Sequence, residues 1–156
     1  MAGSVATLTV IERVLFLRNV SLFADLSTVD LERVAELVEE AGFADGEVIA
    51  SEGELGEELY LVVDGTIRVV QDRGGTEHEL ARRTKGEVVG EMSLITHAPR
   101  VASLLADGAV RTIRLGHREF ESMLRERPGI AMAVMQVLAN RLAEDAHRGG
   151  AAEPAI

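Results

Sequence analysis

Between residues 90 and 100, a glycine, a carboxylate and a guanidinium stand on one short segment, Gly90-Glu91-Met92-Ser93-Leu94-Ile95 followed by Pro99-Arg100. The segment interrupts a β-rich region without a hairpin signal and reads as a strand, Val89 onward, ending in one helical turn. The first amides of such a turn lack intrahelical acceptors and favour an anion. Gly90 has no side chain, so a ligand can approach the backbone closely. Arg100 supplies a planar fork that grips two oxygens of a phosphate. Glu91 supplies acceptors suited to a sugar hydroxyl and would repel a free phosphate. Together the three groups suit a phosphorylated sugar. The competing arrangement is that Glu91 and Arg100 pair with each other and leave the segment without a ligand.

Other chemistries find little support in the residue types. There is no cysteine, which removes disulfides, thiolate metal sites and a cysteine nucleophile. His78, His97, His117 and His147 are scattered with no His-x-His pair, so each reads as a surface residue. A metal-dependent barrel enzyme of the cupin type would need them clustered with a carboxylate. No nucleophile–base set and no Walker loop is present; Gly74-Gly75 reads as a hairpin turn instead. The expectation is a protein that is not an enzyme and carries neither metal nor cofactor. The formal net charge is −10, and no stripe of Lys or Arg offsets it, so DNA binding by this chain is not expected. Glu12, Arg13 and Arg18 interrupt the apolar N-terminal stretch, which is neither signal peptide nor membrane span. A cytoplasmic setting is the expectation.

The elements that must position the segment fall into three regions: helices, strands, helices. With 47% hydrophobic but only 3% aromatic residues, the core must rest on Val, Leu, Ile, Ala and Met. Residues 1–42 read as N-terminal helices. Ile11, Val14 and Leu15 form a first apolar face; Ser27 caps a second helix with Asp30 in its first turn. Leu31, Val34, Leu37, Val38 and Ala41 then keep helical spacing, and Gly42 offers a stop. Residues 43–116 carry Asp45-Gly46, Asp64-Gly65, Gly74-Gly75 and Asp107-Gly108, pairs suited to tight hairpins. Between them lie strand-like runs: 47–51, 59–63, 66–71, 77–82, 101–106 and 110–115. Strands punctuated this regularly predict a mixed α+β chain built on an antiparallel β-barrel, a double-stranded β-helix or jelly roll, closed so that no edge is exposed. Residues 117–147 read as a C-terminal helix pair kinked at Pro128. In the longer of the two, Ile130, Val134, Val137, Leu138 and Arg141 share one side and Met132, Met135, Ala139 and Leu142 a neighbouring one. One side can dock on the barrel and the other meet a ligand or a second subunit. The tail, 148–156, is expected to be disordered.

The run from Gly90 to Ser103 resembles the phosphate-binding cassette of the cyclic-nucleotide-binding domain family. Glu52-Gly53-Glu54, Leu59-Tyr60 and Asp64-Gly65 resemble its early strands, and the bend at Leu22-Phe23 its helical lead-in, so the likeness runs from about Val20 to Leu142. The resemblance implies a β-roll with its cassette at 89–103, and Arg100 on the cyclic phosphate. It places Glu91 on the ribose 2′-hydroxyl, the backbones of Gly90, Met92, Ser93 and Val101 around the phosphate, and Ser103 as a further donor. Val101, where relatives preferring cyclic GMP carry Thr or Ser, implies cyclic AMP, with cyclic GMP as the alternative. Asp145 and Ala146 replace the Thr and Ser that some bacterial relatives use for adenine; Met132, Met135 or Leu138 could form an apolar lid instead. Ligand binding is then expected to draw in the cassette and shift the terminal helices. About thirty residues follow Pro128, too few for a helix-turn-helix. The chain then reads as a stand-alone sensor, a subunit acting on a separate effector, or a piece of something larger. The rival function is a purely structural module that forms homodimers through its last helix.

Overall fold

A computed structural model describes residues 7–147 of the 156-residue chain. Helix α1 (Val10–Leu17) opens with a capping box: Glu12 N donates to Thr9 Oγ1 (3.1 Å), and Thr9 N to the Glu12 carboxylate (3.2 Å). Its buried face carries Val14 and Leu17, whereas Ile11 and Leu15, expected on that face, point outward. A single 3-10 turn at Ser21–Phe23 leads to α2 (Thr28–Ala35), capped by Ser27 as its sequence predicts.

That second helix is shorter than its apolar spacing suggests. It ends at Ala35, and Glu39–Phe43 forms strand β1 against Val110–Arg114. Arg13 donates to Ala35 O (3.2 Å) and Val38 O (3.4 Å), satisfying carbonyls at the point where the helix stops. Gly42 near its end would weaken a continued helix, and pairing with a partner strand offers its backbone an alternative. The predicted helical residues Val38 and Ala41 therefore belong to the approach to the sheet and to the sheet itself.

The remaining strands are β2 (Val48–Ala50), β3 (Glu58–Arg73), β4 (Thr76–Arg83), β5 (Val88–Val89) and β6 (Ser103–Gly116). All pair antiparallel in one six-stranded sheet ordered β1-β6-β3-β4, with β2 also on β6 and β5 also on β3. Gly74-Gly75 makes the β3–β4 hairpin, both glycines at positive φ. Asp64-Gly65 and Asp107-Gly108 do not make hairpins: β3 and β6 run straight through them for 16 and 14 residues. The β3–β6 register shifts between Val62 and Thr66, which marks a bulge rather than a turn.

The bulge decides which side chains face inward. Before it, Leu59, Leu61 and Val63 meet the helices while Tyr60 and Val62 face the interior of the roll. Beyond it, odd-numbered Ile67 and Val69 take over the interior. One extra residue has exchanged the faces. Two cores result, one between helices and sheet, the other inside the roll. The roll stays open, because among the described residues no ladder joins β1 to β4, so the expected full closure does not occur. The free edge is blunted by charge: Glu77, Glu79 and Arg82 on β4 link to Arg68 and Asp107. Arg68 and Arg82 hold the Glu79 carboxyl below its ordinary range.

Helix α4 (His117–Glu126) and helix α5 (Pro128–His147) meet at Arg127, whose non-helical backbone breaks the path, and Pro128 opens the second helix of the expected pair. Phe120 packs on Phe23 with centroids 5.9 Å apart, and Ile130 and Val134 are buried. Met132 and Leu142 are exposed by 64% and 72%. No described helix is long and apolar enough to cross a membrane. The tail at 148–156 lies outside the described residues.

Candidate functional site

The segment from 90 to 100 leaves β5 and becomes a short helix, α3 (Ser93–Thr96), as its residues predict. Gly90 has φ +79, and a Cβ there would lie 2.8 Å from Glu58 O and 3.0 Å from Arg100 Nη1. The glycine is therefore required by the protein's own backbone and guanidinium, beyond any approach of a ligand. The amides of Ser93 and Leu94 are used inside the turn, donating to Gly90 O (3.0 Å) and Glu91 O (3.3 Å). This tight i to i−3 bonding corrects the expectation that those N–H groups point outward.

The returning limb, residues 98–103, is fastened to residues 52–57. Gly53 N donates to Arg100 O (2.8 Å), Arg100 N to Glu54 O (2.7 Å), and Gly56 N to Ala98 O (2.9 Å). Glu52 N donates to Ser103 Oγ (2.9 Å). A Cβ on Gly56 would come within 2.8 Å of Ser93 Cβ, so α3 rests directly on this strap.

A cavity of about 350 Å³ opens between the two limbs and the roll interior. Gly90, Met92, Ser93, Arg100 and Val101 line it, together with apolar Val89, Ala102 and Leu104. Arg100 is the one charged residue in this lining. Its Nη2 donates to Glu58 O (2.9 Å), and its Cζ lies 5.7 Å from the centroid of the Tyr60 ring. Tyr60 donates to Glu58 Oε2 (2.5 Å), and burial, reinforced by that carboxylate, pushes its phenol above the ordinary range. No carboxylate among the described residues forms an ion pair with Arg100, so the arrangement in which it neutralises Glu91 does not occur.

Two of the predicted residues face elsewhere. Ser103 Oγ serves as the strap's acceptor. Glu91 turns away from the cavity toward the helices: its Oε1 accepts from Ser21 Oγ (2.9 Å), Leu22 N (2.7 Å) and Arg141 Nη2 (2.9 Å). Arg141 also donates to Ser21 Oγ. All three bonds fall on one carboxylate oxygen, which leaves Oε2 as an acceptor. No residue of α5 lines the cavity. Met132 and Met135 are exposed, Leu138 packs on the helical core, and Asp145 and Ala146 are exposed at the helix end, so none forms a lid.

His97 and His117, expected as separate surface residues, stack with centroids 4.7 Å apart and planes 6° from parallel. His117 Nδ1 lies 2.8 Å from Leu94 O and donates to it, docking α3 on α4. Imidazole lone pairs lie in the ring plane, so parallel displaced rings do not converge on one metal. No cluster of three or more His, Asp or Glu among the described residues is placed to hold a metal. The residues missed in the sequence are Ser21, Gly56, Glu58, Tyr60 and Arg141. Two of them left a trace: Tyr60 stands in the Leu59-Tyr60 pair, and Arg141 is a charge on the side of α5 that carries Ile130 and Val134.

The family model for the cyclic nucleotide-binding domain matches residues 41–127. The chain is 33% identical over 110 residues to the cAMP-dependent protein kinase regulatory subunit of Blastocladiella emersonii, covering 70% of this chain and 27% of that protein. It spans about a quarter of the length of the curated relatives it matches. Among solved structures, the N-terminal domain of a transcriptional regulator from Streptomyces coelicolor A3(2) superposes with a TM-score of 0.79 at 30% identity, covering 85% of this chain and 94% of that one. The regulatory subunit of a cAMP-independent protein kinase A from Trypanosoma brucei gives 0.66 at 29% identity, covering 85% and 48%.

Proposed function

Because this chain belongs to the cyclic nucleotide-binding domain family, we propose that it is a cytoplasmic sensor whose cavity takes cyclic AMP and whose terminal helices report binding to an effector. The observation that carries this reading is Arg100: the one charged group lining an otherwise neutral cavity, held by a carbonyl and a ring rather than by a carboxylate. A monoanionic cyclic phosphate supplies the missing partner. Gly90, Met92, Ser93 and Val101 line the phosphate end. Glu91 takes the ribose 2′-hydroxyl on Oε2 and keeps Oε1 for the helices. Val101, 42% exposed and without a hydrogen-bonding side chain, favours adenine over guanine. Since a relative of the same fold is cAMP-independent, the ligand is argued from these residues rather than from the fold.

The same Glu91 gives the signal a route. It touches the 3-10 turn and α5 together, so a sugar that draws the carboxylate inward pulls on Ser21, Leu22 and Arg141 at once. Free energy for the shift comes from tighter binding to one arrangement. The effector is a separate protein or domain, and the exposed stripe of α5 fits a second copy of the chain.

Calorimetry with cyclic AMP and cyclic GMP tests the proposal, and saturable binding is expected, tighter for cyclic AMP. Arg100→Leu should cost roughly 2–5 kcal/mol, as for truncating one partner of a buried charge pair. Glu91→Ala should cost less, since it loses bonds to a neutral hydroxyl. If Arg100→Leu binds as well as the parent, the cassette assignment is wrong.

A further inference from the structure

Resting on the reading above, we propose that Tyr60 is a positioning residue for Arg100: its ring, pinned through its hydroxyl to Glu58, holds the guanidinium at the cavity wall. Arginine carries much rotamer entropy and five donors, so a loose side chain would collapse onto the nearest acceptor. Here the stem is aimed by two contacts from one strand. Glu58 and Tyr60 are two apart on β3 and share a face. Glu58 O takes Nη2, the Tyr60 ring lies beneath Cζ, and the Tyr60 hydroxyl closes the circuit on the Glu58 carboxylate. Tyr60 is itself fixed: it is 5% exposed, and Phe43 packs edge-on at 6.3 Å. A ring face attracts a cation without consuming its hydrogen-bond donors, so the outward N–H groups of Arg100 stay available to a phosphate. A carboxylate in the same place would hold the arginine as firmly and compete with the ligand.

Cyclic AMP titrations of the parent, Tyr60→Leu, Tyr60→Phe, Arg100→Leu and the Tyr60→Leu/Arg100→Leu double variant test this. Tyr60→Leu should bind roughly 2- to 30-fold more weakly, the range of a cation–π contact. Tyr60→Phe keeps the face but loses the pin on Glu58, so its loss should be smaller than that of Tyr60→Leu yet measurable; a loss as large as that of Tyr60→Leu overturns the role of the ring face. The double variant should bind no more weakly than Arg100→Leu alone; a full multiplicative loss, the mark of a merely structural role, overturns the proposal. A second arm needs neither nucleotide nor a change at Tyr60. Tyr60 is the single tyrosine in a chain without tryptophan, so intrinsic emission reports one ring. Arg100→Leu should alter that emission and its collisional quenching; identical spectra overturn the proposal even if Tyr60→Leu does not fold. An altered spectrum in a protein that binds no cyclic nucleotide would leave the pairing intact and count against the ligand assignment alone.

Discussion

Gly90 carries two constraints at once: a left-handed φ of +79 and a neighbour, Glu58 O, that a Cβ would approach to 2.8 Å. Gly46 shares the backbone angle, φ +78, with nothing inside 4 Å. Substitution by alanine should therefore separate the two effects. Gly46→Ala meets only the cost of a left-handed residue, about 1–2 kcal/mol. Gly90→Ala adds displacement of the carbonyl that holds Arg100, so it should lose more stability in urea and weaken cyclic AMP binding as well, whereas Gly46→Ala leaves affinity unchanged. Equal effects from the two variants would contradict this account. That Gly90, Glu91 and Arg100 stand on one segment was legible in the sequence because they sit within eleven residues of each other. The partners of Glu91 were not, since Ser21, Leu22 and Arg141 lie 70, 69 and 50 positions away. The resemblance marked Tyr60 only as part of an early strand; its role was hidden for the same reason, because only folding brings Arg100 over its face.

At the scale of elements, the two Asp-Gly pairs in the centre of the sheet illustrate where local signals end. Positive φ at glycine serves a hairpin and a bulge equally, so the pair alone does not say whether the chain reverses. What decides is the long partner strand, and its pairing is non-local. The two glycines at this irregularity differ in how tightly they are packed. A Cβ on Gly65 would run into Ala109 O and lie 3.0 Å from Val110 Cα, whereas one on Gly108 meets nothing within 4 Å. Gly65→Ala should thus destabilise the fold by several kcal/mol, because β3 and β6 must separate or lose the face exchange that builds the inner core. Gly108→Ala should cost about 1–2 kcal/mol. Urea midpoints for the pair provide the comparison. The apolar spacing from 31 to 41 misleads in a similar way: residues on both sides of a helix end are buried, and burial at helical intervals need not mean one continuous helix.

For the molecule as a whole, the order helices, strands, helices was readable from turn residues and periodicity, and so was the division between the strand region and the C-terminal pair. The outward stripe of α5 belongs to this scale. Met132, Met135, Ala139 and Leu142 recur at spacings of three and four residues, the pattern of a helix seam, and the two ends are well exposed. Sedimentation should find a dimer whose dissociation Leu142→Glu promotes by at least tenfold, about 1.4 kcal/mol; a parent that remains monomeric at high concentration removes the dimer from the proposal. Arg100, meanwhile, is the one charged residue lining the cavity of a molecule of formal net charge −10. An incoming anion meets repulsion at a distance and attraction only near contact, since ions at physiological strength limit the reach of surface charge to about 8 Å. Arrival and retention therefore answer to electrolyte differently: added salt thins the outer field and hastens the encounter, while the sheltered grip inside is screened far less.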